Sequence, residues 1–130
     1  MVLKTVKKIE LKEKFWARLA SEVEEAQNSE CCFLLQMDCN AHLGSSEING
    51  DPCSIDQNGA YFKNFLNKFP HLTLVNSMPL TEGSITRRRI TVNKVEESII
   101  DFFVVCDRLL PYIQKLLIDE QKKICPDQFL

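Results

Sequence analysis

Glycine and proline are scarce, four and five in a chain of 130 residues, and no low-complexity tract or internal repeat is present. That scarcity argues against a disordered, collagenous or solenoid chain. Charge of one sign is lacking too. The formal net charge is −2, so no global basic field announces nucleic-acid binding, and any contact with a polyanion must be local. No apolar run approaches the ~20 residues of a membrane span. The opening Met1-Val2-Leu3-Lys4-Thr5-Val6-Lys7-Lys8 has no continuous apolar stretch for a signal peptide. These absences lead to the expectation of a soluble protein without a membrane partner, intracellular, in the nucleus or cytoplasm.

What is present is an apolar share of 45 %, enough for a core, in a length that suits one domain of ~100–150 residues. Six cysteines stand at 31, 32, 39, 53, 106 and 125. Cys32, Cys39 and Cys106 lie in or beside apolar runs, and none shows the paired short spacing of a zinc set, so free, buried thiols are expected.

Hydrophobic spacing supplies the elements. Residues 2–6 alternate weakly and read as a short strand. From Glu10 to Asn28, Leu11, Phe15, Trp16, Leu19, Ala20, Val23 and Ala26 recur at three and four residues, the pattern of an amphipathic helix with a charged outer face. The run 31–38 is continuously apolar and reads as a sheet interior. Residues 39–57 are rich in turn formers and predict a long surface loop. A second helix is expected over 58–69, with Phe62, Phe65, Leu66 and Phe69 inward and Pro70 as terminator. Strands are expected at 72–76, 84–92, 98–106 and 114–119, with a turn at 77–83, a short helical turn capped by Asp107, and a polar tail over 120–130. The order describes a mixed α/β layer protein.

Two acids stand out within these runs. Asp38-Cys39-Asn40 closes the first strand, and alternate strand residues share a face, so a carboxylate and an amide meet at one rim, where they would polarise water or hold phosphate. Asp101 sits among aromatic and branched residues, a costly place for a carboxylate without a donor or a cation. A strand end and a satisfied core carboxylate are the plainer readings of the two. His42 and His71 read as structural. In Arg87-Arg88-Arg89, strand geometry puts Arg87 and Arg89 on one face and Arg88 on the other, so part of the triplet lines a phosphate groove or all of it is a solvated face.

Taken together, Met37-Asp38-Cys39-Asn40-Ala41-His42-Leu43-Gly44, Asp56-Gln57-Asn58-Gly59, Leu72-Thr73-Leu74-Val75-Asn76, Thr86-Arg87-Arg88 and Ser98-Ile99-Ile100-Asp101-Phe102 resemble the C-terminal half of the endonuclease/exonuclease/phosphatase superfamily. The closest branch is the endonuclease domain of non-LTR retrotransposons. The order and spacing agree over residues 15–119. The resemblance implies half of a four-layer α/β/β/α sandwich of DNase I type, a mixed sheet with flanking helices, over residues 1–119. It implies Mg²⁺ as cofactor, DNA as a partner, and Asp38, Asn40 and Asp101 as remaining catalytic residues. Asp38 would orient or deprotonate the attacking water, Asn40 would hold the phosphate, and Asp101 would orient a histidine. Arg87, Arg88 and Arg89 would bind nucleic acid.

The chain departs from the pattern: Met37 replaces a glycine, Cys39 replaces an aromatic residue, and the metal-binding Glu and the Ser-Asp-His motif have no counterpart. An incomplete phosphodiesterase with little activity alone is therefore expected, associating as a homodimer or with a complementary half-domain across an uncovered apolar sheet face. A non-catalytic oligomerisation or nucleic-acid-binding module is the alternative. A phosphatase of a small phosphorylated substrate is a weaker one.

Overall fold

The computed structural model describes residues 2–38 and 41–119, with side chains from Lys12 onward. Two helices, α1 (Val2–Asn28) and α2 (Gln57–Lys68), accompany seven strands: β1 (Leu34–Asp38), β2 (Leu72–Leu74), β3 (Thr81–Glu82), β4 (Arg87–Ile90), β5 (Val95–Ser98), β6 (Asp101–Cys106) and β7 (Leu116–Leu117). The strands form an antiparallel sheet in the order β1-β6-β2, a parallel pair β3-β7 and an antiparallel hairpin β4-β5. This is a mixed α/β fold. Among the described residues no helix is long and apolar enough to cross a membrane.

The period-3.6 stripe of α1 is turned against α2 and the sheet. Trp16 and Val23 are buried, with Leu19 and Ala20 beside them, while Phe15 on the flank stays half exposed. Phe62 of α2 stacks on Trp16 at 5.5 Å between ring centroids and meets Phe102 of β6 edge-on at 5.0 Å. One ring thus joins both helices to the central strand. Trp16 Nε1 also donates to Asn58 Oδ1 at 3.1 Å, which fixes the helix pair in register.

The end of α1 dispenses with glycine. Glu30 takes the left-handed conformation, φ 58°, with Glu30 N donating to Gln27 O at 3.1 Å and Cys31 N to Ala26 O at 3.0 Å. These are the two bonds of a Schellman stop. A side chain there costs about 1–2 kcal/mol. Arg108 offsets part of it by donating to Glu30 O at 2.8 Å.

The loop 41–56 is tied down by two carboxylates. Asp51, buried, accepts from Gly44 N at 3.1 Å and Cys53 N at 2.9 Å. Asp56 caps α2 by accepting from Gly59 N at 2.6 Å, and the same oxygen accepts from His42 N at 3.1 Å.

Several expectations change. Residues 2–6 begin α1 rather than a strand, since no glycine, proline or capping residue separates them from the helix that follows. The run 31–38 yields a strand only from Leu34, and that strand is an edge, not a sheet interior. Cys31 and Cys32 are exposed, whereas Cys106 is buried and Cys53 partly so; all four are free thiols. The polar segment Val95–Ser98, not anticipated as a strand, pairs with β4. Thr81–Glu82, expected as turn, makes a two-residue strand. The chain leaves the sheet after Leu74 in a 3-10 turn, Val75–Ser77. The helical turn beyond Asp107 is a 3-10 turn, Leu110–Tyr112, that begins from Leu109 and contains Pro111. The sheet face away from the helices is partly covered: Val105 is fully buried and Phe103 half-buried, while Leu34 is 47 % exposed. The polar tail, 120–130, lies outside the described residues.

Candidate active site

Asp38 and Asp101 face each other directly across β1 and β6. The ladder's phase follows from Cys106 N, which donates to Phe33 O at 3.2 Å on the β1 side, and from Phe103 N, which donates to Asn76 on the β2 side at 2.8 Å. Phe102 and Val104 therefore exchange hydrogen bonds with Met37 and Leu35, and Asp38 with Asp101 is a non-hydrogen-bonded pair. In such pairs the backbones approach most closely and the side chains lie side by side. The two carboxylates are thus set at one rim of the sheet, on the face away from the helices.

Burial, first, holds the Asp101 carboxyl above the usual carboxylate range; a hydrogen bond from the Thr86 hydroxyl opposes this, and the neighbouring Asp38 adds to it. Thr86 Oγ1 in turn accepts from Ile100 N at 2.9 Å and Asp101 N at 3.2 Å. A single threonine, just before β4, thus ties down the turn between β5 and β6 and also hydrogen-bonds the acid. Asn76, 6 % exposed, braces the same strand from the other side, with Nδ2 donating to Asp101 O at 3.0 Å and Oδ1 accepting from Phe103 N.

The raised Asp101 carboxyl has a consequence for stability. Its favourable contribution is complete below the unfolded-state value of about 3.9 and is lost as pH rises through the higher folded-state value. Asp101→Asn lacks this dependence, so the stability of the wild-type protein relative to the variant is expected to fall between pH 3.5 and pH 7. Urea unfolding at the two pH values checks it. A wild-type advantage that grows with pH would contradict the assignment.

The hairpin beside this rim carries the arginines. Arg88 donates to Glu97 Oε2 from Nη2 at 2.6 Å and from Nε at 3.1 Å, on the β5 strand opposite. It is engaged in a surface ion pair and does not share the face of Arg87 and Arg89, which are both exposed. Glu96, opposite Arg89, has its carboxylate 3.3 Å from Lys94 Nζ. Arg87 follows Thr86 directly, so that face of the hairpin springs from the residue that holds Asp101.

Asn40 and Cys39 lie outside the described residues. His42 is placed in the loop by its backbone, and its buried Nδ1 has no hydrogen-bond partner. His71 sits far along the sheet from the acids, 3.7 Å from Asp107. Thr86 and Asn76 were not anticipated as site residues in their own right; Thr86 stood in the sequence only as part of a basic segment, and nothing marked Asn76 as a brace.

As for a cation, no group of three His, Cys, Asp or Glu side chains converges among the described residues. Two facing carboxylates match a magnesium-type site, in which one or two acids bind and water and phosphate oxygens complete the shell. The donor chemistry at Asp38 and Asp101 fits that case. The chain matches no protein-family model, no curated protein and no solved structure.

Proposed function

We propose that this chain bears part of a phosphodiester-hydrolysing site of the endonuclease/exonuclease/phosphatase type, of the retrotransposon branch, on half of a DNase I-like sandwich, with DNA as its substrate and the nucleus or cytoplasm as its place of work. The observation that carries the reading is the single rung joining Asp38 to Asp101 at the sheet rim, braced by Thr86 and Asn76. It brings together two acids that lie 63 positions apart in the sequence.

In this reading Asp38, exposed at the strand end, orients the attacking water and takes its proton. Asn40 holds the scissile phosphate. Asp101, hydrogen-bonded by the Thr86 hydroxyl, would steady an imidazole brought by the complementary half-domain, since the chain's own two histidines, His42 and His71, do not fill that role. Mg²⁺ held at the two carboxylates would neutralise charge on the phosphoryl oxygens. Arg87 and Arg89 would take flanking phosphates as sequence-independent contacts.

Slow nicking of supercoiled and abasic-site DNA that depends on Mg²⁺ is the expected result, with Asp38→Ala reducing it about 100-fold, the scale of a lost general base. Equal rates in the two proteins would remove Asp38 from the chemistry. No Mg²⁺-dependent nicking at all would leave the non-catalytic module as the reading.

A further inference from the structure

β1 is five residues long and forms one edge of its sheet. Because Phe33, Leu35 and Met37 turn their backbone groups toward β6, those of Leu34, Gln36 and Asp38 face outward, and among the described residues no strand pairs with them. Edge strands are normally protected by lysine, proline, a bulge or a covering element. This one reads Leu34-Leu35-Gln36-Met37, without charge or proline before Asp38. Beside it runs a groove of about 740 Å³ lined by Lys12, Phe15, Trp16 and Leu19 of α1, Asn58 of α2 and the residues of β1.

From this edge we infer that β1 accepts an extended strand from another polypeptide, adding a fourth strand to the β1-β6-β2 sheet. The occupant is defined by the two kinds of group it would meet. A row of outward N–H and C=O groups requires an extended backbone. The apolar α1 wall requires apolar side chains at alternate positions, the ones that point toward the helices. Phe15, 50 % exposed, would be covered by them.

A second copy paired through its own β1 is the poorer fit. Neighbouring strands lie ~4.8 Å apart, whereas packed helices need ~8–10 Å between axes. Each copy carries Phe15, Trp16 and Leu19 of α1 beside that edge, so a two-fold pairing that keeps both helices on one sheet face would bring these side chains of the two copies against each other. A strand that brings no helix of its own on that face avoids the conflict.

The test uses a seven-residue peptide alternating valine with threonine, capped at both ends, and isotope-labelled protein. Saturable binding with slowed hydrogen exchange at the Leu34 and Gln36 amides is the expected result. Gln36→Pro removes an N–H that β6 does not use, at an edge position where proline is tolerated, and should weaken binding about tenfold or more. From the ligand side, methylating one set of alternate peptide amides should abolish binding while methylating the other set spares it. That comparison holds even if the proline variant fails to fold. Equal binding by both methylated peptides, or no saturable binding, would overturn the proposal. So would a dimer of the unliganded chain that Gln36→Pro dissociates, because the edge would then belong to a second copy.

Discussion

Phe62→Ala is expected to destabilise the protein by about 3–5 kcal/mol, the range for truncating a buried phenylalanine. Phe62 is fully buried, and its ring touches Trp16 of α1 on one side and Phe102 of β6 on the other. Losing it forfeits transfer energy and two aromatic contacts, each worth about 0.5–1.5 kcal/mol beyond area. The neighbours cannot close in: Trp16 is held by its bond to Asn58, and Phe102 by its pairing with Met37 of β1. For a domain whose total stability is of the order of 5–15 kcal/mol, the loss approaches a third or more. Chemical denaturation with an unchanged slope would check it. A cost under about 1 kcal/mol would mean that the helices do not rest on the sheet through this ring.

Gly59→Ala is expected to be nearly as harmful, at about 3 kcal/mol or more, the upper end of overpacking costs. A methyl group at Gly59 would come within 1.9 Å of the His42 carbonyl oxygen and 2.8 Å of its carbon. Both atoms are backbone, so no rotamer change relieves the clash. The N-terminus of α2 must withdraw from the loop, and the three bonds between them go with it: His42 N and Gly59 N to Asp56 Oδ1, and Asp56 N to His42 O at 3.1 Å. The same loop begins just after Asp38, so the variant is expected to disturb the acidic rim as well. Amide shifts of Asp38 and Asp101 that move along with those of residues 41–56 would show it. A variant with wild-type melting temperature would mean that the loop and helix stand farther apart than 1.9 Å implies.

The helices were legible because a 3.6-residue period survives any tertiary context. The stripe through Trp16, Leu19 and Val23 and the phenylalanines of 57–68 did become the core. Strand pairing is a different kind of information. The apolar density of Phe33 to Met37 reports how much water is excluded from those side chains and says nothing about how many neighbours the backbone has, so an edge was read as an interior. Of the β4-β5 hairpin, β4 fell within the strand expected at 84–92, but β5 escaped for the converse reason: it is polar and exposed, leaving no alternation to detect. At the candidate site, Asp38 and Asp101 were identifiable as acids in unusual company, but their meeting depends on a register that no local pattern encodes. Thr86 and Asn76 were harder still, since their roles lie in bonds to the backbone of β6 and leave no mark on composition.

Asn76 stands where β2 has already left the sheet, and its carboxamide offers one donor to Asp101 O and one acceptor to Phe103 N. In effect a side chain impersonates a peptide unit and prolongs the ladder past the point where the main chain departs. Only a group with both polarities can do this. An aspartate of identical shape would turn an oxygen toward the Asp101 carbonyl and push the strand's acidic end out of line.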